Sequence, residues 1–434
     1  MAMCCHVYGH LRFRKLPCCI GRKALIMNKV VGKNHILTYC TTAKNIRSAD
    51  EKMLQLKRVV LLCKVTRYDY EKHLHPHMSE EQLHIFLSSK GSDFKALKER
   101  DEEYKRQVNY IQEVFQKFNI EVKIVIKFDY AEKLVQWADA IFTAGGDGTF
   151  LMAATKVRDH SKPVIGINTD PIRSEGYLCL SKKDSVNFES AIEKIINGKF
   201  RWHWRQRICI TMSGKYETEE VVDLHQQQVL FPEHRFVEHV QENELHRRCN
   251  EHKKEQPRRE LPILALNEVF IGESLSARVS FCEVSIDDSV RQKQKSSGVT
   301  VCTGTGSTSW FFNINHLTTQ SVHDILKIAQ RHGICETQNS IDASDIQKIT
   351  DAFNASLSYH PSNPKMAYTI RDPISNVVSN VQKSRGFCTK MLVLSRMWDG
   401  WVVVDGSLSL PFNDGAVVEL SIREKDALQC VILD

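Results

Sequence analysis

From residue 57 to about residue 200, short apolar runs alternate with segments of helical periodicity. Residues 57–65 (KRVVLLCKV) form an apolar run of strand length, and residues 101–118 place apolar side chains at helical spacing, from Tyr104 to Phe115. The other elements predicted here are strands at 120–126, 140–143 and 163–167, a short helix that ends at 134–138, and a helix at about 149–157. Strands that alternate with helices predict a parallel α/β sheet.

Beyond about residue 200 the pattern changes to short β-like runs separated by turn residues. Two segments interrupt these runs: residues 215–260 are polar and rich in His, Glu and Gln, and residues 318–353 show helical spacing. The runs themselves lie at 207–212, 263–271, 278–286, 299–302, 390–395, 401–404 and 416–422. A second, β-rich domain is the simplest interpretation.

These patterns divide the chain into three parts. We predict a leader at residues 1–50, an α/β domain at 51–200 and a β-rich domain at 201–434. We expect insertions in the β-rich domain at about 215–260 and 318–385. The last residues, from about 415 onwards, are candidates for packing back on the first domain.

Charge separates the leader from the rest of the chain. The 434 residues carry 59 Lys and Arg against 52 Asp and Glu, a net charge of +7. Nine of the basic residues and none of the acidic ones lie in residues 1–49, so the remainder is close to neutral. A near-neutral body lacks the basic face of a nucleic-acid-binding protein. The sequence also lacks the run of about 18 apolar residues that predicts a membrane-spanning helix.

The leader has the composition of a mitochondrial transit peptide. Its basic residues include Arg12, Arg14 and Arg22, hydroxyl groups accompany them, and the first acidic residue is Asp50. The potential across the inner mitochondrial membrane pulls such cations inward. The alternative is a basic tail without a targeting role. We favour import and expect the body of the protein in the mitochondrial matrix.

The sharpest signal for chemistry is the run Gly145-Gly146-Asp147-Gly148-Thr149, which follows an apolar run and precedes a helical pattern. Glycines let a backbone approach a ligand closely, and the N-terminus of a helix offers free N–H groups to phosphate oxygens. Asp147 stands where a hydroxyl group could meet a phosphate. The alternative is a tight strand–helix turn in which Asp147 only caps the helix.

Two further polar runs accompany this turn. Residues 303–308 (TGTGST), followed by Ser309 and Trp310, form a pliable loop rich in hydroxyl groups. Asn267 and Glu268 interrupt an apolar run, and both can hydrogen-bond sugar hydroxyls or an amide. Taken alone, the first run is better explained as a surface loop and the second as an exposed pair on an edge strand.

A GGDGT turn, an Asn-Glu pair and a Thr-x-Thr-Gly-Ser-Thr loop, in this order, resemble the NAD kinase family. Here they stand at 145–149, 267–268 and 303–308, and Asn168 in Gly-Ile-Asn matches a further family segment. The resemblance covers roughly residues 57–430 apart from the insertions, and the basic leader makes the chain similar to the mitochondrial branch. It implies an α/β N-terminal domain with a parallel, Rossmann-like sheet of the NAD kinase and diacylglycerol kinase type, followed by a β-rich C-terminal domain.

The resemblance also implies an activity, the transfer of the γ-phosphoryl group of ATP to the 2′-hydroxyl of the adenosine ribose of NAD, with Mg²⁺ on the donor. Asp147 would act as the catalytic base. The implied ATP-binding residues are Gly145, Gly146, Gly148 and Thr149, and the implied NAD-binding residues are Asn168, Asn267, Glu268, Thr305, Ser307, Thr308, Ser309 and Trp310. No residue is assigned to a protein-bound metal. The expected partners are NAD, ATP and a second copy of the chain in a homodimer, without nucleic acid or membrane.

Two other functions stay open at this point. A lipid kinase of the diacylglycerol or sphingosine type shares the GGDG turn, but residues 165–170 (IGINTD) lack the Gly-Thr-Gly-Asn stretch of those enzymes. A non-catalytic nucleotide sensor on the same fold would fit the departures from the family pattern near residues 170–177, 297 and 304, although the retained Asp147 argues against it. The chain has neither a Walker A sequence nor a GxGxxG run after a strand, so neither a P-loop nor a standard Rossmann site is expected.

We predict that residues 1–50 suffice for mitochondrial import. Fused to a fluorescent protein, they should carry it into mitochondria, because their positive charge responds to the membrane potential. The matched control replaces Arg12, Arg14 and Arg22 with Gln and should stay in the cytosol. Microscopy against a mitochondrial marker makes the comparison. A wild-type fusion that stays in the cytosol would instead favour the tail without a targeting role.

Overall fold

A computed structural model describes residues 54–158, 160–214, 221–223, 258–334, 342–374 and 383–433. The predicted leader and most of the predicted insertion at 215–260 lie outside these residues. The described residues all belong to one compact unit, Met53–Asp434. Within them, no helix combines the length and the apolar character that crossing a membrane requires.

The first part of the chain forms a four-stranded parallel sheet in the order β2-β1-β3-β4. Its strands are β1 (Arg58–Cys63), β2 (Glu121–Val125), β3 (Ala140–Gly145) and β4 (Val164–Asn168). Its helices are α1 (Arg67–Leu74), α2 (Glu80–Ser89), α3 (Phe94–Lys117), α4 (Glu132–Trp137), α5 (Asp147–Lys156), α6 (Lys182–Val186) and α7 (Phe188–Ile196). Since β2 and β3 lie on opposite sides of β1, the carboxyl ends of β1 and β3 form the crevice where ligands bind in such sheets.

Both faces of this sheet are covered, which explains the continuous apolar runs of its strands. On one face, Phe115 of α3 and Phe188 of α7 pack against Phe142 of β3, with ring centroids 5.0–6.0 Å apart. On the other face, the fully buried Phe150 of α5 packs with side chains of β1 and β3. The parallel sheet predicted from the sequence is confirmed.

Two helices start earlier than their apolar periodicity indicates. Helix α3, predicted from residue 101, begins at Phe94, since the Asp93 side chain accepts a hydrogen bond from the Ala96 N–H (3.0 Å). Helix α5, predicted from about Thr149, begins at Asp147 with Gly146 at the N-cap. The start of α5 places Asp147 in the first turn of the helix.

The rest of the described chain is rich in antiparallel strands. They are β5 (Phe200–Arg205), β6 (Ile208–Ser213), β7 (Val222–Asp223), β8 (Arg258–Ala265), β9 (Glu268–Glu273), β10 (Ser280–Ile286), β11 (Gln292–Ser296), β12 (Val299–Cys302), β13 (Met366–Ile370), β14 (Arg385–Cys388), β15 (Lys390–Ser395), β16 (Gly400–Val404), β17 (Leu408–Pro411), β18 (Val417–Ile422) and β19 (Leu428–Leu433). The helices among them are α8 (Trp310–Asn315), α9 (Thr319–Arg331) and α10 (Ala343–Ala355).

Most of these strands form two antiparallel sheets, one of six strands (β11-β10-β15-β18-β6-β8) and one of seven (β14-β13-β12-β9-β16-β17-β7). Their facing side chains make a single core, to which Ile210 of the first sheet and Val402 of the second belong. Strands β5 and β19 pair separately, and Val431 of β19 packs into the core of the parallel sheet. The predicted combination of an α/β domain with a β-rich domain is therefore confirmed.

Two details of the β-rich part differ from the sequence-based expectation. The apolar run at 263–271 is not one strand, because the chain turns a corner at Leu266 and Asn267 between β8 and β9. The segment predicted as an insertion over 318–385 contains β13, which pairs with β12 and β14 inside the seven-stranded sheet. Its five residues are all buried but have polar neighbours on both sides, so their run is too short to stand out in the sequence.

One buried arginine joins the C-terminal end of α5 to the β-rich part. Arg207 is fully buried, its Nε donates to the Asp426 carbonyl (2.6 Å), and one terminal nitrogen donates to the carbonyls of Ala154 (3.3 Å) and Val157. Burial lowers the pKa of Arg207 to about 10, so the guanidinium stays charged at neutral pH. A cation at the C-terminus of a helix is also favoured by the helix dipole.

We predict that Arg207→Met lowers the free energy of unfolding by about 2–4 kcal/mol, because buried carbonyls then lose a charged donor. Urea denaturation followed by circular dichroism measures the change. The control Arg278→Met removes an exposed arginine and should change stability by no more than about 0.5 kcal/mol. Equal stabilities of the two variants would contradict the role given to Arg207.

Candidate active site

The glycine-rich turn connects β3 to α5 at the carboxyl edge of the parallel sheet. Gly145 packs so closely on the buried Thr149 that a Cβ at position 145 would overlap the Thr149 hydroxyl. Gly148 is exposed, and a Cβ there would meet no atom within 4 Å. Gly145 and Thr149 therefore fix the strand–helix packing, whereas Gly148 leaves the first turn of α5 open to a ligand.

The Asp147 carboxylate is held by backbone amides of the loop that follows β4. Its Oδ1 accepts a hydrogen bond from the Leu178 N–H (2.9 Å) and its Oδ2 accepts one from the Tyr177 N–H (3.2 Å). A carboxylate offers about four lone-pair positions, so each oxygen keeps acceptor capacity for a substrate hydroxyl. The residue is half-buried, which leaves the carboxylate oriented but accessible.

Asn168 shapes that same loop. Its side-chain Nδ2 donates to the Ser174 carbonyl (3.0 Å), and its Oδ1 accepts from the Asp170 N–H (3.0 Å). Gly176, at φ +64, passes so close to the Asn168 amide that a Cβ would lie 2.5 Å from Nδ2. Asn168 thus acts on Asp147 through the loop, and direct contact of Asn168 with a dinucleotide stays a prediction.

Asn267 and Glu268 lie at the corner between β8 and β9 and are buried, with exposed fractions of 7% and 8%. The Asn267 Nδ2 donates to the Ser309 hydroxyl (3.3 Å). The Asn267 Oδ1 and the Glu268 Oε2 are buried without a hydrogen-bond partner. Such atoms are uncommon in folded proteins, because leaving a buried polar atom unpaired costs free energy. Hydroxyl or amide groups of a ligand would supply the missing partners.

The loop at residues 303–310 packs directly on this corner. The Thr303 hydroxyl donates to the Leu266 carbonyl (2.5 Å), and the Thr303 N–H donates to the Asn267 carbonyl (2.9 Å). Gly306 contacts the same carbonyl so closely that any Cβ would overlap it. The structure therefore brings together the second and third sequence motifs, which are separated by about 35 residues in the chain.

The side chains of the loop point in different directions. Thr305 and Ser307 are buried, and the Ser307 hydroxyl donates to the Gly304 carbonyl (2.7 Å) and accepts from the Tyr359 N–H (3.1 Å). Thr308 is exposed, Ser309 is half-buried, and the Trp310 ring is 38% exposed. The Trp310 ring lies 5.3 Å from the Phe270 ring and 5.2 Å from the Arg371 guanidinium. Thr308, Ser309 and Trp310 are thus the members of this loop that a ligand can reach.

Arg205 was not singled out by the sequence, yet it lies between the loops of the site. One terminal nitrogen approaches the Tyr177 carbonyl (3.5 Å), and the other approaches the Thr305 hydroxyl (3.4 Å). Arg205 is the last residue of β5, a strand that pairs with the C-terminal β19. No local pattern marks it, because its position depends on a pairing of distant segments.

Two carboxyl groups at the corner have raised pKa values. Burial, together with the nearby Asp405 carboxylate, raises the pKa of Glu268 to about 8. Burial also raises the pKa of Asp405 to about 6, although three backbone N–H groups and Arg207 act in the opposite direction. At neutral pH, Glu268 is therefore protonated in a large fraction of molecules and can donate a hydrogen bond as well as accept one.

A cavity of about 850 Å³ opens beside Gly148, within the size range of small-molecule sites. It runs along α5, with the turn at residues 405–408 on the opposite wall. Its charged lining residues are Lys127, Glu132, Lys156, Arg158, Asp223, Arg259 and Asp405. Lys127 pairs with Asp223 (2.8 Å) and Arg158 with Glu132 (2.8 Å), so the charges of the lining are largely balanced. The cavity begins at the open first turn of a helix, which suits a phosphate-bearing ligand.

An oriented carboxylate at a helix N-terminus, beside a cavity and a corner with unpaired polar atoms, has the arrangement of a nucleotide-dependent phosphotransferase. Comparison with known proteins narrows the class. The family model of the ATP-NAD kinase N-terminal domain matches residues 45–200. Human "NAD kinase 2, mitochondrial" is 44% identical over 379 residues, which cover 87% of this chain and 84% of the human protein. The protein of that name from Rattus norvegicus is also 44% identical, with 87% and 88% covered.

The chain belongs to the NAD kinase family. A third relative, from Xenopus tropicalis and also named as mitochondrial, is 43% identical and covers 87% of this chain and 91% of its own. The solved structure of an NAD kinase from Archaeoglobus fulgidus in complex with ATP superposes with a TM-score of 0.47 at 15% identity, covering 87% of this chain and 93% of that one. The identity of 43–44% to these relatives over most of the chain confirms the family resemblance inferred from the three motifs.

We predict that ionisation of Glu268 destabilises the fold. The pKa of Glu268 rises from an ordinary 4.5 to about 8 on folding, so the folded chain binds the proton more tightly than the unfolded chain. Relative to Glu268→Gln, the free energy of unfolding of the unmodified chain should therefore fall as the pH rises from about 4.5 to 8, by up to about 1.4 kcal/mol per pH unit.

Urea denaturation at a series of pH values tests this expectation. Glu99→Gln, at an exposed helix position, serves as the control and should follow the pH dependence of the unmodified chain. A difference between Glu268→Gln and the unmodified chain that stays constant across this range would show that Glu268 does not change its proton affinity on folding.

Proposed function

We propose that this protein is an NAD kinase that transfers the γ-phosphoryl group of ATP to the 2′-hydroxyl of the adenosine ribose of NAD, giving NADP and ADP. Relatives that are 41–44% identical over most of the chain carry the name NAD kinase, which supports the activity. The single observation that supports the chemistry is the orientation of the Asp147 carboxylate by the Tyr177 and Leu178 amides at the start of α5.

In this proposal Asp147 acts as the general base. The 2′-oxygen forms a bond to the γ-phosphorus as the bond between that phosphorus and the β–γ bridging oxygen breaks, and ADP leaves. The 2′-hydroxyl proton passes to the Asp147 carboxylate late in the step, because a ribose hydroxyl is a weak acid until the new bond forms. A positioned base of this kind contributes about 10²–10⁴-fold to the rate.

The donor nucleotide would occupy the cavity beside Gly148. Gly146 and Gly148 would let phosphate oxygens approach the first turn of α5, and Gly145 and Thr149 would hold that turn in place. Lys156, exposed on the cavity wall, would supply positive charge. ATP phosphates would thus approach Asp147 along one face of the helix.

The residues beside the turn fit a magnesium ion that arrives on the nucleotide. The described residues contain no group of three or more His, Cys, Asp or Glu side chains able to hold a metal. Mg²⁺ prefers oxygen ligands and commonly takes substrate phosphates, waters and one or two carboxylates. The ion would neutralise charge on the transferred phosphoryl group, and the Asp147 carboxylate would serve the acceptor side of that reaction.

The acceptor dinucleotide would lie between Asp147 and the corner at Asn267 and Glu268. The unpaired Asn267 Oδ1 and Glu268 Oε2 would bind its hydroxyl groups. The accessible members of the 303–310 loop, Thr308, Ser309 and Trp310, would contact the adenosine part, with Thr305 and Ser307 shaping the loop. Arg205 adds a cation for the pyrophosphate group at the point where the two loops meet.

The proposal also covers the oligomeric state of the protein and its location in the cell. The relatives are named as mitochondrial enzymes, which supports a mitochondrial location, and the acid-free leader points to the matrix. For assembly we propose a homodimer, supported by exposed apolar side chains on α9 and α10, such as Ile325, Ile328 and Ile349, which a second copy would cover.

We predict that Asp147→Asn lowers kcat for NADP formation by about 10²–10⁴-fold, because the amide cannot accept the proton. The purified full-length protein is incubated with NAD, ATP and Mg²⁺, and NADP is followed with a coupled dehydrogenase. Asp139→Asn is the matched control, since Asp139 also holds two backbone amides, those of Lys57 and Arg58, just before the opposite end of β3. The control should change kcat by less than about twofold.

The outcomes of this assay distinguish an NAD kinase from a lipid kinase and from a nucleotide sensor. If the unmodified, folded protein makes no NADP, the NAD kinase proposal is rejected. Lipids would then be tested as acceptors. Calorimetry would test for a nucleotide sensor, which would bind NAD without turnover. Activity that survives Asp147→Asn would keep the substrate and reject the general base.

A further inference from the structure

The turn after β16 contains an aspartate whose carboxylate is bound by three consecutive backbone amides. Asp405 Oδ2 accepts from the Leu266 N–H (2.9 Å), and Oδ1 accepts from the N–H groups of Asn267 (2.8 Å) and Glu268 (3.0 Å). In return, the Asp405 N–H donates to the Glu268 carbonyl (2.9 Å). Four hydrogen bonds therefore join one residue to the corner between β8 and β9.

The corner needs such a partner. At Leu266 and Asn267 the chain leaves the six-stranded sheet and enters the seven-stranded one, so their N–H groups lack the partners that a continuous strand would provide. The Asp405 carboxylate supplies these acceptors. Because it binds the amides of Asn267 and Glu268 themselves, it fixes the direction in which their side chains leave the backbone.

Asp405 adopts an unusual backbone conformation to make this contact. Its φ is +48, in the left-handed region that side-chain-bearing residues seldom occupy, although Asp tolerates it better than most. Such strain persists where surrounding contacts fix it, and it is found preferentially at functional sites. Asp405 also lines the cavity beside Gly148, so it lies between the acceptor pair and the space assigned to the donor.

The charge of Asp405, like its hydrogen bonds, affects Glu268. Burial is the larger cause of the raised pKa of Glu268, and the nearby Asp405 carboxylate is the second cause. A protonated Glu268 can donate a hydrogen bond to a ligand oxygen, whereas an ionised one cannot. The three backbone N–H groups and the charge of Arg207 lower the pKa of Asp405 and so oppose the effect of burial.

The geometry points to Asp405 as a positioning residue of the acceptor site: through three backbone amides it sets the Asn267 and Glu268 side chains for NAD without touching NAD itself. This inference rests on the proposed function, because it takes NAD as the acceptor. It assigns to the turn after β16 a role in NAD affinity that is separate from the proton transfer at Asp147.

The chain contains a matched control for this arrangement. Asp287, at φ +46, also sits in a turn and accepts three hydrogen bonds, from the N–H and hydroxyl of Thr389 (both 2.8 Å) and from the Lys390 N–H (3.0 Å). It lies beyond the end of β10, among residues assigned neither to the cavity nor to the site motifs. The effect of losing an aspartate carboxylate that accepts three hydrogen bonds can thus be compared at the site and away from it.

The experiment measures steady-state kinetics of full-length Asp405→Asn, Asp287→Asn and the unmodified protein, with NAD and ATP varied separately. Asn tolerates a positive φ and keeps one acceptor oxygen. Its NH₂ group, however, replaces the second oxygen and cannot accept a hydrogen bond from a backbone N–H. We expect Asp405→Asn to raise KM for NAD by about tenfold, equivalent to about 1.4 kcal/mol of binding free energy. KM for ATP should rise less than KM for NAD in Asp405→Asn, and Asp287→Asn should leave both values within about twofold of the unmodified protein.

The outcomes separate this inference from the function on which it rests. No NADP formation by the unmodified protein would reject the proposed function. Turnover by the unmodified protein, with KM for NAD unchanged in Asp405→Asn or raised equally in Asp287→Asn, would reject the positioning role alone. If Asp405→Asn does not fold, Asp405→Ser, which keeps a smaller hydroxyl acceptor, replaces it. Failure of both to fold while Asp287→Asn folds would make Asp405 a folding residue and would also overturn the inference.

Discussion

The position of helix α5 is the constraint on which the candidate site depends. Its first turn carries Asp147, and its C-terminal carbonyls are held by the buried Arg207 of the β-rich part. Its apolar side, through Phe150, packs into the core of the parallel sheet. One helix therefore connects the parallel sheet, the antiparallel sheets and the Asp147 carboxylate. Any movement between the two parts of the fold would change where that carboxylate stands relative to the nucleotide.

The corner between β8 and β9 holds polar groups in an unfavourable environment. Asn267 and Glu268 each keep a buried oxygen without a partner, and Glu268 shares its surroundings with the Asp405 carboxylate. The extensive core between the two antiparallel sheets offsets such local costs. Binding a ligand with hydroxyl groups would remove part of the cost, since new hydrogen bonds would replace missing ones. The two unpaired atoms would thus be a source of affinity for such a ligand.

The sequence predicted most of the fold because apolar patterns report burial directly. Strands β1 and β3 are buried on both sides, and their unbroken apolar runs predict them. Boundaries set by single polar residues are not predicted in this way: α3 begins at Phe94 because the Asp93 side chain caps it, and this hydrogen bond leaves no apolar signal. The corner at Leu266 and Asn267 was also missed, because an apolar run stays apolar where it passes from one sheet to another.

The sequence by itself determined the chemistry of the site and the order of its motifs: Asp147 at a strand–helix turn, the Asn267 and Glu268 pair, and a hydroxyl-rich loop. Only the tertiary structure decided how these groups are held. The partners of Asp147 are backbone amides about 30 residues away, and those of Asp405 are amides about 138 residues away. A backbone amide has no residue-specific signature, so a sequence cannot mark it as a partner. Its position follows from the packing of the sheets, and the packing is a property of the whole chain.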